Sequence, residues 1–136
     1  MTSCNELLDY ENDYNLTGKI LTIATDDEPC LKQTASPIPI NEIQSIEIQQ
    51  LIIDMIETMK AAPGIGLAAP QIYKSLRLMV FYLPIARDDI NHIGVPLTVL
   101  INPIIEPLDD QVTLDFEGCL SVPGFRGKVQ RYRKIK

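Results

Sequence analysis

Ile48, Leu51, Ile52, Met55, Ile56 and Met59 fall at spacings of three and four. That recurrence marks the apolar stripe of one amphipathic helix, with Glu47, Gln50, Asp54 and Glu57 on the side facing away. Asn41 is placed to cap it, Gln44 follows as in a capping box, and Pro63-Gly64 ends it, so a helix over residues 42–62 is expected. A stripe this wide needs a large apolar surface opposite. The flanking sequence offers strands for that purpose. Residues 20–23 are a short apolar run, and residues 76–83 centre on Val80, Phe81 and Tyr82. Residues 87–94 read as a polar loop. Residues 98–101 read as a strand stopping at Asn102-Pro103. In residues 112–116, Val112, Leu114 and Phe116 alternate with Thr113 and Asp115, the period of a strand. Pro123, Gly124 and Gly127 make residues 122–127 a turn, and residues 128–135 a last strand with no partner. One strand, a long helix and then several strands predict an α+β fold, with antiparallel sheets packed around the helix.

The 136 residues suffice for one compact domain. Hydrophobic residues at 46% and charged residues at 22% fit a globular chain and exclude wholesale disorder. A net charge of −6 argues against nucleic acid as the main partner. The charge is unevenly spread, however. Residues 124–136 carry Arg126, Lys128, Arg131, Arg133, Lys134 and Lys136 and no acid. A basic tail for RNA or the ribosome is one reading. A solvated strand whose acidic partners lie elsewhere is the plainer one, and we prefer it. Residues 1–18 are polar and read as a flexible N-terminal extension. Glu6, Asp9, Glu11 and Asp13 in it fit neither a secretory signal nor a transit peptide. No apolar run approaches the ~20 residues of a membrane span. A cytoplasmic protein without membrane contact is expected.

Cys4, Cys30 and Cys119 have no paired spacing and do not suggest a disulfide framework. Cys4 and Cys30 read as small hydrophobes. Cys119 stands within Glu117-Gly118-Cys119-Leu120-Ser121, after a strand. A cysteine there can offer a thiolate to a cleft, as nucleophile or soft metal ligand, though a buried thiol fits the local sequence as well. A second segment, Gly64-Ile65-Gly66-Leu67-Ala68-Ala69-Pro70-Gln71, follows the helix. Its small residues let a ligand lie against backbone and bond to it as a strand does, and Gln71 adds a fixed amide. It lacks the third glycine of a dinucleotide fingerprint and the lysine of a P-loop. A plain small-residue packing turn is the other reading.

Taken together, these segments resemble the first two signature motifs of the peptide deformylase family. The first has the form Gly-apolar-Gly-apolar-Ala-Ala-x-Gln; the second is Glu-Gly-Cys-Leu-Ser, continued here by Val122-Pro123. The resemblance spans roughly residues 20–136 and implies a deformylase-like fold over residues 19–136. Its Gly-Cys form is similar to the bacterial type frequent in Gram-negatives. Family members hydrolytically remove the formyl group from the N-terminal formylmethionine of nascent polypeptides. The resemblance implies a divalent metal, ferrous iron or zinc, nickel or cobalt, with Cys119 as its thiolate ligand. It implies that Gln71 and the Leu120 N–H stabilise the oxyanion. Gly64, Ile65 and Gly66 would line the methionine pocket and pair with the substrate, with Glu117 and Gly118 also on the substrate side. The stretch near Gly124 and Phe125 would flank the cleft.

The family's third motif, of the form His-Glu-x-x-Asp-His, supplies two histidine ligands and a glutamate that moves the proton. This sequence has a single histidine, His92, in a polar stretch, and nowhere a His-x-x-x-His. The expectation is an incomplete domain lacking the C-terminal motif helix, and a chain inactive as it stands. Without that helix the stripe of residues 48–59 should lose its main neighbour and part of the sheet its cover, favouring self-association through exposed core. The alternatives are a non-catalytic relative that binds formyl-peptides, and one half of a split enzyme completed by another chain.

Overall fold

A computed structural model of the chain describes residues 16–84 and 94–136. His92, Cys4 and most of the expected extension and polar loop lie outside the described residues. The helix of the apolar stripe, α1, spans Ile46–Ala61. It begins later than the sequence reading placed it. Pro39 leads into a 3-10 turn over Ile40–Glu42, which absorbs Asn41, and the Ser45 N–H donates back to the Glu42 carbonyl at 2.9 Å. Ser45 therefore becomes the cap, its Oγ accepting from the Ile48 N–H at 3.3 Å.

Three strands follow: β1 (Gly66–Ala68), β2 (Leu78–Leu83) and β3 (Val95–Ile101). They form one antiparallel sheet in that order, with Leu67 opposite Val80 and Val80 opposite Val99. The stripe of α1 packs onto this sheet: Met55 and Met59 are 0% exposed, in one cluster with Ile38, Leu67, Leu78 and Val80. The expectation that the stripe would lack a neighbour is thereby overturned. Sheet residues already in this chain cover it.

Residues 20–23 are not a strand. This segment runs along α1, and its N–H groups find helix side chains in place of a strand partner. Lys19 N–H donates to Asp54 Oδ1 at 2.8 Å and Leu21 N–H to Thr58 Oγ1 at 2.9 Å. Asp54 is consequently buried and does not face solvent. The approach is close at Gly18, where an added Cβ would lie 2.4 Å from Glu57 Cγ. On the other side, Asn102 latches the extended stretch before α1. Its Oδ1 accepts from the Ile38 N–H at 2.8 Å and its Nδ2 donates to the Ile38 carbonyl at 2.7 Å.

The remaining strands, β4 (Val112–Cys119) and β5 (Val122–Tyr132), form a separate antiparallel hairpin. The last strand thus has a partner, contrary to expectation, running from Val112 opposite Tyr132 to Gly118 opposite Arg126. Chain beyond it pairs too: Pro107 bridges Ile135. The expected turn over residues 122–127 contracts to a bulge at Pro123-Gly124-Phe125, where Gly124 takes a positive φ of 81°. The basic stretch finds its acids nearby, with Arg131 on Glu117 and Lys134 on Asp109. Among the described residues the hairpin is largely uncovered: Leu114 is 63% exposed and Phe116 52%. The architecture is α+β, as the element order predicts. Among the described residues no helix is long and apolar enough to cross a membrane.

Candidate functional site

The two motifs, 48 residues apart at Gln71 and Cys119, meet in space. Gln71 sits in a 3-10 turn, Ala69–Ile72, with Pro70 in its first turn and Tyr73 closing it in the left-handed region. The turn is tied to the segment along α1, since the Gln71 carbonyl accepts from the Ala24 N–H at 2.7 Å. The side chain is fixed as well. Its Oε1 accepts from the Ala68 N–H at 2.9 Å, which aims the Nε2 group at the hairpin. One Nε2 contact is with Cys119 Sγ at 3.6 Å, a sulfur-length hydrogen bond, and the other with Ser121 Oγ at 3.1 Å. Ser121 is buried and Cys119 is exposed.

Cys119 ends β4 and Val122 begins β5, so Leu120 and Ser121 form a two-residue turn at the hairpin tip. The Leu120 N–H lies in this turn, outside the strand ladder. The Leu120 side chain points back into the core and covers Gly64. A Cβ on Gly64 would lie 2.6 Å from Leu120 Cδ1. Gly64 therefore serves close approach between the two motifs. Gly66 and Gly118 do not: a Cβ there would make only ordinary contacts, the nearest at 3.6 and 3.7 Å.

Gly66 has another property. The Tyr82 N–H donates to the Ile65 carbonyl at 2.9 Å, and Gly66 stands opposite Phe81. Antiparallel bonding alternates along a strand, so Leu67 turns its polar groups to β2 and Gly66 turns its N–H and C=O outward. β1 is an edge strand. Ile65 beside it is 52% exposed. An extended chain laid along this edge would find Gly66 open, while the Ala68 N–H is already taken by Gln71.

Glu117, which the sequence reading put on the substrate side, is paired with Arg131. Arg131 grips its carboxylate with two bonds, Nε to Oε1 at 2.9 Å and Nη2 to Oε2 at 2.7 Å. These bonds hold the Glu117 carboxyl below the ordinary glutamate range and push Arg131 upward. Phe125 projects from the bulge and is 75% exposed, its carbonyl near Gly118.

A metal needs more than this site provides. Among the described residues no group of three His, Cys, Asp or Glu side chains could hold one. Cys119 is the single soft donor, and the nearest polar neighbours named above, Gln71 and Ser121, are an amide and a hydroxyl. These residues do not by themselves fit the metal that the resemblance implies. Ser121 and Arg131 were missed as site residues. Ser121 stood inside the quoted motif; Arg131 could only be found from the strand register.

Comparison with known proteins shows the family. Residues 20–136 match the polypeptide deformylase family. The chain is 45% identical over 105 residues to peptide deformylase 2 of Pseudomonas putida, covering 77% of this chain and 59% of that protein. With peptide deformylase 1 of Bordetella pertussis it shares 46% over 109 residues, 80% of this chain and 61% of the relative. The chain thus spans about three-fifths of the length of these relatives. Among solved structures, a class I type b peptide deformylase from Acinetobacter baumannii with Met-Ala-Ser bound superposes with a TM-score of 0.76. Its identity is 33%, over 88% of this chain and 75% of that one. The peptide deformylase of Ehrlichia chaffeensis gives 0.75 at 32% identity, over 86% and 66%. With its two motifs joined at Gln71 and Cys119, the chain belongs to the polypeptide deformylase family.

Proposed function

We propose that this chain carries the substrate-recognition and thiolate parts of a peptide deformylase, and that it does not hydrolyse formyl-peptides alone. The whole enzyme's reaction is removal of the N-formyl group from formylmethionine of nascent polypeptides. The carrying observation is the convergence of Gln71 Nε2 on Cys119 Sγ and Ser121 Oγ. An amide held at both ends beside an exposed thiol is a preorganised donor for charge that develops next to the sulfur.

In this reading the substrate's first residues pair with the outward N–H and C=O of Gly66, between Gly64 and Ile65. The formyl oxygen lies toward Gln71 Nε2 and the Leu120 N–H, and the Nε2 proton now on sulfur turns to it. Ser121 keeps the other proton and so keeps the amide aimed. Glu117, held by Arg131, stiffens the strand behind Gly118 and Cys119. In a complete enzyme Cys119 would be one ligand of a divalent ion such as iron, zinc, nickel or cobalt, and that ion would supply Lewis-acid chemistry. Among the described residues no three His, Cys, Asp or Glu side chains could hold such an ion, and in this reading the chain binds substrate without turning it over.

The test uses the chain as it is with formyl-Met-Ala-Ser. Amide shifts at Gly64, Ile65, Gly66 and the Gln71 side chain should move on titration, and Gln71→Ala should abolish the side-chain response. No formate should form with added cobalt or nickel. Formate released by the chain alone would overturn the inactivity. Absence of any shift at these amides would overturn the recognition role. Activity that appears only on mixing with a second chain carrying a His-Glu helix would identify a split enzyme.

A further inference from the structure

The Arg133 N–H donates to the Gln111 carbonyl at 2.8 Å, which fixes the phase of hydrogen bonding along β4. Bonding alternates from there. Thr113, Asp115 and Glu117 turn their polar groups to β5, while Leu114, Phe116 and Gly118 turn theirs to the outer edge. That edge leads to Cys119. Gly118 is open on it, but Phe116 is closed. The Phe116 N–H donates to Asp115 Oδ1 at 2.7 Å, and the Phe116 carbonyl accepts from Arg126 Nη2 at 3.1 Å. Arg126 starts on β5, opposite Gly118, and its stem passes over that residue: a Cβ added at Gly118 would lie 3.8 Å from Arg126 Cγ. A cation from β5 thus reaches the outer edge of β4, three residues before Cys119.

The guanidinium that arrives there is held by a neutral carbonyl, which leaves the rest of its donor fork free. Arg131 on the same strand shows the contrast, since Glu117 fills its fork with two bonds. Arg126 is exposed, and among the described residues no carboxylate lies within ion-pair distance of it. Lys128, 5.5 Å from the Phe116 ring centroid, is a second cation on this face without a carboxylate partner among the described residues.

In the recognition reading above, on which this inference rests, the formyl group lies beside Cys119 and the peptide leads away from it. An extended peptide and β4 both advance roughly 3.3 Å per residue. A peptide running back along β4 therefore brings its third residue level with Phe116 and the Arg126 guanidinium. Phe116 has no open backbone group to pair with it, so recognition at this position passes to side chains. We propose that Arg126 reads the third residue of the substrate and selects a carboxylate side chain there, with Lys128 adding to the positive field. A planar fork matches a carboxylate through paired N–H groups.

The test measures affinity on the chain as it is, through the Gly66 amide shift, with C-terminally amidated peptides. Formyl-Met-Ala-Glu amide should bind roughly five-fold tighter than formyl-Met-Ala-Gln amide, the scale of an exposed charge pair. Formyl-Met-Glu-Ala amide should show no such gain. Arg126→Gln should bring the Glu and Gln peptides to equal affinity, and Arg126→Lys should keep part of the difference. The wild-type comparison stands without any variant. Equal affinities there, with the Gly66 amide still moving, would overturn this inference and leave the recognition reading standing. A Gly66 amide unmoved by every peptide would overturn both. A gain seen only when the terminal carboxylate is left free would overturn the side-chain assignment. An equal gain from an acid at the second position, or a gain that survives Arg126→Gln, would reduce the effect to the general field of the basic strand and overturn it likewise.

Discussion

Residues 16–84 and 94–103 and residues 104–136 are built on different terms. The first region buries the stripe of α1 against β1 and β2, and no buried side-chain polar atom in the described structure lacks a partner. In the second, Ser121 alone is buried. Its order comes from the β4–β5 ladder and from a few ion pairs on its surface. The candidate site straddles the two. Gln71 and the Gly66 edge belong to the packed region, while Cys119 rides on the tip of the exposed hairpin. The tip docks through the Leu120 side chain, which packs on the core cluster and over Gly64, and through the Gln71 amide on Cys119 and Ser121. The packed Gly66 edge is therefore coupled to a thiol that the Leu120 and Gln71 contacts hold at the hairpin tip.

The largest effect that sharpens this contrast is truncation of one side chain in each region. Met55→Ala removes a fully buried side chain from the α1 stripe and should cost about 2–5 kcal/mol. Leu114→Ala removes an exposed one and should stay within about 0.5 kcal/mol. Urea melts of both variants read the difference. Equal losses would mean that the hairpin face is covered in solution.

Next in size is Gly64→Ala. The new Cβ meets Leu120 Cδ1, Cγ and Cδ2 at 2.6, 3.2 and 3.3 Å, so the whole side chain must move. Overpacking of this kind costs about 1–3 kcal/mol. The distinctive outcome is uncoupling: the Gln71 side-chain amide should lose its contacts with Cys119 and Ser121 and exchange faster. Gly64→Ala with Leu120→Ala should restore much of the stability, as expected for two groups sharing one space. A double variant as unstable as the sum of its parts would show that Gly64 is needed for some other reason.

The helix was legible because its apolar period is unambiguous, and its cap was misplaced because Asn41 and Ser45 are both good caps. Only the turn set by Pro39 decides between them. Residues 20–23 read as a strand because a short apolar run looks the same whether its N–H groups bond to a strand or to Asp54 and Thr58. That choice depends on a helix more than thirty residues away. β4 showed its alternation openly, but Pro123 and Gly124 hid the start of β5. The family came from two local motifs, which a sequence displays directly. The partner of Glu117 did not, because Arg131 reaches it only through the hairpin register. For the same reason, the cover of the α1 stripe was misjudged: β1 is only three residues long and its burial is a tertiary fact.

The smallest effect tests whether the hairpin's surface pairs contribute to its order at all. Arg131 bonds hold the folded-state pKa of Glu117 below the unfolded value. The pair's contribution is therefore fully present above the ordinary glutamate range, and it fades as the pH falls through the lowered folded value. Both side chains are exposed, so salt should screen the interaction and its stabilising effect should be slight. Titration of the Glu117 carboxyl by NMR should give a midpoint below that of an ordinary glutamate. Arg131→Gln should move the midpoint back up, and high salt should do so in part. An identical midpoint in Arg131→Gln would mean that the two bonds do not persist in solution. The strand behind Cys119 would then be held by its ladder alone, and the thiol would depend wholly on the Gly64–Leu120 contact and the Gln71 amide for its position.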